Sequence, residues 1–92
     1  MKAEIFENST WVDVCDIDRI KNYYSDLLLE SGFDVLGFVE EYFSPIGYTA
    51  LWLLGERHFA VHTFPEENKS FVNITSCNRE YFNKFILKMN EI

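Results

Sequence analysis

Apolar residues recur with two different periods along this chain, which predicts both helices and strands. A first stripe, at steps of three and four residues, is typical of one face of an amphipathic helix. Its members are Ile17, Ile20, Tyr24, Leu27 and Leu28. Asp16 can cap this helix, and Gly32 tolerates the left-handed conformation in which many helices end. We therefore predict a helix that begins after Asp16 and ends near Ser31.

A second, shorter stripe predicts another helix close to the last residue. Asn78 precedes the stripe, and its side-chain oxygen can accept a hydrogen bond from the first turn. The apolar residues that would share one face are Phe82, Phe85, Ile86 and Met89. Their spacing of three or four residues predicts that they pack together on one side of the helix.

β-Branched and aromatic residues dominate the remaining segments, which predicts strands. The candidate strands are residues 3–14, Phe33–Phe43, Tyr48–Leu54, Phe59–Phe64 and Ser70–Ser76, separated by turn signals at 44–47, 55–58 and 65–69. Short turns between the last four strands predict an antiparallel meander. The predicted fold class is α+β: a two-layer sandwich of order β-α-β-β-β-β-α, with a four- to five-stranded, mainly antiparallel sheet and two helices on one face.

Size and charge narrow the possible functions. The 92 residues predict a single domain over 1–92, near the lower limit for one stable core, so we expect a homo-oligomer. The formal net charge is −7 and Lys and Arg form no cluster, which argues against binding to nucleic-acid polymers. No secretory leader or membrane-spanning apolar stretch is seen, so we expect a cytoplasmic protein with no membrane contact and reduced cysteines.

Four motifs resemble the bacterial and archaeal S-adenosylmethionine decarboxylases. They are Pro-Ile-Gly-Tyr-Thr-Ala at 45–50, Leu-Leu-Gly-Glu-Arg-His at 53–58, His-Thr-Phe-Pro-Glu at 62–66, and Cys77. The family shows, in the same order and spacing, a Pro-x-Gly-x-Ser/Thr turn, a Glu-Ser-His cleavage site, a His-Thr-Trp-Pro-Glu stretch and a later cysteine. The resemblance covers most of the chain and implies the same half-sandwich fold.

One departure from the family pattern changes the expected chemistry. The resemblance implies that the serine of Glu-Ser-His would break the chain and become a pyruvoyl group, the electron sink for decarboxylation. Arg57 holds that position here. A guanidinium is protonated at any working pH and is a poor nucleophile, so it cannot form the ester from which the pyruvoyl group arises. We therefore expect no cofactor and an unbroken chain.

The resemblance also nominates site residues. Glu56 and His62 are the candidate catalytic residues, and the candidate substrate-binding residues are Tyr48, Thr49, Arg57, Phe64, Glu66 and Cys77. Aromatic rings suit a sulfonium, acids suit ribose hydroxyls, and a guanidinium suits a carboxylate or phosphate. Each of these residues also has a purely structural interpretation. His62 could be a half-buried strand residue and Cys77 a small core residue. Glu56 and Arg57 could be solvated residues of a hairpin. No metal site is predicted.

One reaction of S-adenosylmethionine needs no cofactor, because its own carboxylate can displace methylthioadenosine and close to homoserine lactone. Phage-type S-adenosylmethionine lyases work in this way, as do lyases that destroy the SAM-AMP signal of type III CRISPR antiviral defence. The chain is similar to them in size and site logic. Our leading hypothesis is such a lyase, a dimer or trimer with sites at the interface. The alternative is a catalytically inactive paralogue that regulates a decarboxylase or senses S-adenosylmethionine or polyamines.

Overall fold

The computed structural model describes residues 3–92; Met1 and Lys2 lie outside the described residues. The strands are β1 (Phe6–Val12), β2 (Val35–Tyr42), β3 (Tyr48–Leu54), β4 (Arg57–Phe64) and β5 (Lys69–Ser76), and the helices are α1 (Ile17–Ser31) and α2 (Arg79–Lys88). A short 3-10 helix, Pro65–Glu67, connects β4 to β5. The predicted element order is confirmed.

All five strands form one antiparallel sheet in the order β1-β5-β4-β3-β2. β1 therefore pairs with the last strand, and β1 and β2 are the two edges. The predicted α+β class is confirmed. One boundary differs from the prediction: Arg57 and His58 already pair with Leu54 and Leu53, so β4 begins at Arg57 and the connection shrinks to Gly55 and Glu56.

Both predicted helix caps of α1 are present. The Asp16 carboxylate accepts a hydrogen bond from the Arg19 N–H at 3.0 Å. At the other end, Gly32 takes a left-handed conformation with φ of 107°, and its N–H points to the last free carbonyls of the helix. In α2, Asn78 Oδ1 accepts from the Tyr81 N–H at 3.0 Å. Neither helix is long and apolar enough, within residues 3–92, to cross a membrane.

Both helices cover the same face of the sheet. Trp52 Nε1 donates to Ser25 of α1 at 3.2 Å, and the Phe59 ring packs on Tyr24 of α1 and Phe85 of α2. Along β3, β4 and β5 every second residue is buried on this side. The remaining side chains lie on the opposite side, which we call the open face.

The strand register arranges the open face in three rows across the sheet. The first row is Glu41, Thr49, His62, Phe71 and Trp11; the middle row is Val39, Leu51, Ala60, Asn73 and Ser9; the third row is Gly37, Leu53, His58, Thr75 and Glu7. Several apolar members are exposed, including Val39 at 68% and Leu53 at 53%. The part of the open face formed by β2 and β3 is therefore apolar and uncovered in the protomer.

We predict that Gly32→Ala lowers the free energy of unfolding by about 1–3 kcal/mol. The backbone at Gly32 has a positive φ, and an added Cβ would lie only 2.7 Å from Tyr81 Cε1. Gly37→Ala is the matched control, because its added Cβ would meet only Leu53 Cβ at 3.9 Å. Urea unfolding measures both. Equal stability of the two variants would contradict the prediction.

Candidate functional site

The connection between β3 and β4 is held by three hydrogen bonds. The Gly55 N–H donates to the Asp34 carbonyl at 2.8 Å, and the Asp34 N–H donates to Glu56 Oε1 at 3.2 Å. The Cys77 N–H donates to the Glu56 carbonyl at 3.0 Å. These contacts bring Glu56, Arg57 and Cys77 together at one end of the sheet. We call these three residues the hairpin group.

Arg57 has an unusual backbone conformation, with φ of 136°. A residue with a side chain pays about 1–3 kcal/mol of strain in this region. The Arg57 side chain is exposed, and no hydrogen bond or ion pair within residues 3–92 fixes its guanidinium. The strain therefore belongs to the turn itself, and the guanidinium is free to bind an anionic group.

Thr49 and His62 form a second group, which we call the strand pair. They lie opposite each other on β3 and β4, and a hydrogen bond of 3.1 Å joins Thr49 Oγ1 to His62 Nδ1. His62 is exposed, so its interpretation as a half-buried strand residue is wrong. The bond orients the imidazole and leaves Nε2 available for proton transfer on the open face.

The two groups are far apart in one protomer. Arg57 and His62 are five residues apart on β4. At a rise of roughly 3.3 Å per residue this separates their backbones by about 16 Å. The hairpin group and the strand pair therefore lie at opposite ends of β4.

Tyr48 points away from both groups. Its ring is only 1% exposed on the helix-covered face, and its hydroxyl donates to Glu40 Oε1 at 2.7 Å. Burial, with a smaller effect of this hydrogen bond, raises the pKa of Tyr48 above its usual range. The hydrogen bonds from Tyr48 and from Lys21 hold the pKa of Glu40 below its ordinary value. In this position Tyr48 offers no free ring face to a ligand.

Phe64 and Glu66 lie beyond the His62 end of the open face. Phe64 ends β4 and Glu66 is exposed in the following 3-10 helix. Phe64 packs edge-on against Trp11, with ring centroids 5.2 Å apart. The sequence analysis did not nominate Trp11, because only the long-range pairing of β1 with β5 brings it to this corner.

Cys77 is exposed at the end of β5, so the interpretation of it as a small core residue is wrong. Cys15 is half-buried, and its thiol donates to the Lys69 carbonyl at 3.2 Å. Both cysteines are free thiols. Within residues 3–92 no three His, Cys, Asp or Glu side chains cluster as they would around a metal ion.

We predict that Arg57→Gly raises the free energy of unfolding by about 1 kcal/mol, because glycine relieves the positive-φ strain at some cost in chain entropy. Asn68→Gly is the matched control, since Asn68 has a φ of 53°, in the left-handed region that asparagine tolerates well. Its stability should change by less. Thermal unfolding of both variants measures the difference, and a destabilised Arg57→Gly protein would contradict the strain argument.

Comparison with known proteins places this geometry in context. The family described as S-adenosylmethionine decarboxylase matches residues 7–90. The chain is 31% identical over 62 residues to the S-adenosylmethionine decarboxylase proenzyme of Geobacillus kaustophilus (strain HTA426), which covers 67% of this chain and 50% of that protein. It is 40% identical over 47 residues to proenzyme 2 of Bacillus cereus (strain ATCC 14579), covering 51% of this chain and 38% of that protein.

A solved structure shares the fold. The crystal structure of the adenosylmethionine decarboxylase from Aquifex aeolicus VF5 superposes with a TM-score of 0.74 at 16% identity, covering 96% of this chain and 82% of that one. The chain spans about half the length of the curated relatives that it matches. Because the family match includes the hairpin group and the strand pair, and nearly every other described residue, the chain belongs to the S-adenosylmethionine decarboxylase family.

Proposed function

We propose that this protein is a cofactor-independent lyase that cleaves S-adenosylmethionine, or a derivative such as SAM-AMP, to methylthioadenosine and a homoserine lactone. Family membership supports a ligand of the S-adenosylmethionine type. The observation that carries the proposal is the free, exposed guanidinium of Arg57 at the hairpin between β3 and β4. An arginine there cannot supply a pyruvoyl group but can hold a carboxylate or phosphate.

The proposed reaction balances without a cofactor. A carboxylate oxygen of the substrate attacks the carbon that carries the sulfonium, the carbon–sulfur bond breaks, and the electron pair leaves on sulfur. A neutral thioether and a lactone result, with no proton or redox partner. The protein needs only to fold the substrate into the attack geometry, which can supply several kcal/mol.

In this scheme Arg57 anchors an anionic group of the substrate, and the Glu56 carboxylate acts electrostatically on the positive charge of the substrate. The Glu56 carboxylate already sits beside the turn through its bond from the Asp34 N–H. His62, oriented by Thr49, would reach the substrate from a second copy of the chain. The separation of about 16 Å within one protomer supports this shared arrangement.

The open face suggests how two copies would meet. Its β2 and β3 part is apolar and exposed, as obligate interfaces often are. A two-fold axis that runs across the strands would lay the first row of one copy over the third row of the other. The strand pair of each protomer would then face the third row of its partner, next to the end of the sheet that holds the hairpin group, forming two equivalent sites.

We predict that the purified protein releases methylthioadenosine from S-adenosylmethionine, or the corresponding thioether that still carries the AMP group from SAM-AMP, as measured by chromatography. Arg57→Ala should slow the release about 100-fold, because a loosely held substrate leaves the attack geometry. Lys84→Ala is the matched control, since Lys84 is an exposed base on α2 that forms an ion pair with Glu80. No product from either substrate, or an unaffected Arg57→Ala protein, would contradict the proposal.

The shared site predicts complementation between variants. Arg57→Ala and His62→Ala proteins, each inactive alone, should regain about a quarter of wild-type activity when refolded together in equal amounts. Half of the dimers would then be mixed, and each mixed dimer would hold one intact site of two. The Arg57→Ala/His62→Ala double variant mixed with either single variant is the control and should stay inactive. A mixture as inactive as its parts would mean that the site lies within one chain.

The alternative, a non-processing regulatory subunit, is supported by the same open face, because that face could pair with a decarboxylase protomer instead of a second copy. Co-purification with a processed decarboxylase, together with no release of methylthioadenosine, would favour this role. A stable homo-oligomer that does not bind a processed decarboxylase would contradict the regulatory role.

A further inference from the structure

Three aromatic rings and one ammonium group meet where β1, β4 and β5 reach the same end of the sheet. The Trp11 ring lies 5.2 Å from Phe64 and 5.2 Å from Phe71, at interplanar angles of 62° and 64°. Lys69 Nζ lies 5.3 Å from the centre of the Trp11 ring. We call Trp11, Phe64, Phe71 and Lys69 the aromatic corner.

The sheet register builds this corner from distant parts of the sequence. Trp11 pairs with Phe71 across β1 and β5, and Phe64 pairs with Lys69 across β4 and β5. Phe71 is also the cross-strand neighbour of His62, so the corner adjoins the strand pair. Trp11 lies on the edge strand β1, at the opposite edge of the open face from the exposed apolar residues of β2 and β3. A partner that covered those residues would leave the corner at the margin of the interface.

The Lys69 ammonium shows that the face of Trp11 accepts a cation. No ion pair within residues 3–92 holds Lys69, and its ammonium lies over the negative face of the indole. The Trp11 side chain is nevertheless 48% exposed, so the corner is accessible from solvent. The ammonium therefore occupies a position that another cation can take.

The surrounding charges favour a cationic ligand over an anionic one. Asp13 follows Trp11 by two residues, Glu66 follows Phe64 by two residues, and both carboxylates are exposed. The whole chain carries a formal net charge of −7. Lys69 is the single base of the corner, and a phosphate would have to overcome this negative field.

We infer that the aromatic corner binds the sulfonium of the substrate and that Lys69 is a resident competitor which the sulfonium displaces. The inference rests on the proposed function, because that function supplies a sulfonium ligand. An ammonium is strongly hydrated and loses little when it swings back into water. A sulfonium carries no N–H groups for water to bind, so the rings hold it more favourably than they hold Lys69.

Tryptophan fluorescence tests this inference directly. Trp52 is only 2% exposed in the core, so a rapid change on mixing with ligand reports on Trp11. The probes are S-adenosylmethionine and its neutral thioether, S-adenosylhomocysteine. We expect S-adenosylmethionine to bind about 10-fold more tightly than the thioether. Equal affinity for the two probes would overturn the inference.

The direction in which Lys69→Met changes the affinity for S-adenosylmethionine tests the displacement of the ammonium. Loss of the competing ammonium should tighten binding of S-adenosylmethionine several-fold, and Lys84→Met controls for the general effect of removing a positive charge. Weaker binding by Lys69→Met would mean that the corner holds an anionic group, and would overturn the inference. No difference between Lys69→Met and Lys84→Met would overturn it as well.

Trp11→Leu should abolish the preference for the sulfonium, measured by calorimetry because the fluorophore is lost. Phe38→Leu is its matched control. The Lys21 ammonium lies 5.7 Å from the centre of the Phe38 ring, but Phe38 is on the helix-covered face. Methylthioadenosine release with an unchanged KM in Trp11→Leu would refute sulfonium binding at the aromatic corner and would still support the proposed lyase activity. Trp11-dependent sulfonium binding without product would support the corner and refute the lyase.

Discussion

The register of the antiparallel sheet is the constraint on which every part of this structure depends. Side chains alternate between two faces, and both helices cover one of them, so a residue is either core or open face according to its position along the strand. Tyr48 and Thr49 are neighbours in sequence, yet the first is buried on the helix-covered face and the second forms a hydrogen bond with His62 on the open face. Sequence proximity to a motif therefore does not place a residue in the site.

The turn between β3 and β4 is held by backbone contacts rather than by the side chain of Arg57. The Cys77 N–H binds the Glu56 carbonyl, and the backbone at Arg57 has a positive φ that suits glycine better. An arginine gains nothing from that conformation through its own contacts. The strain is best explained as a property of the turn, whose surrounding hydrogen bonds over-determine the backbone whatever side chain it carries.

Local signals in the sequence were sufficient for the elements but not for the site. Asp16, Gly32 and Asn78 act through hydrogen bonds within a few residues, so the helix ends could be predicted from the sequence. The start of β4 at Arg57 and the corner around Trp11 depend on pairing between distant strands. No local pattern encodes such pairing, which is why the motifs predicted which residue types matter without predicting which of them meet.

The separation of the hairpin group from the strand pair connects the size of the chain to its proposed activity. A domain of 92 residues buries a modest core and leaves one whole sheet face uncovered. Covering that face with a second copy would stabilise the fold and, in the same step, bring the His62 imidazole near the hairpin end of the partner's sheet. Stability and catalysis would then depend on one interface, so a change to exposed apolar residues such as Val39 and Leu53 would impair both even though neither residue touches the substrate.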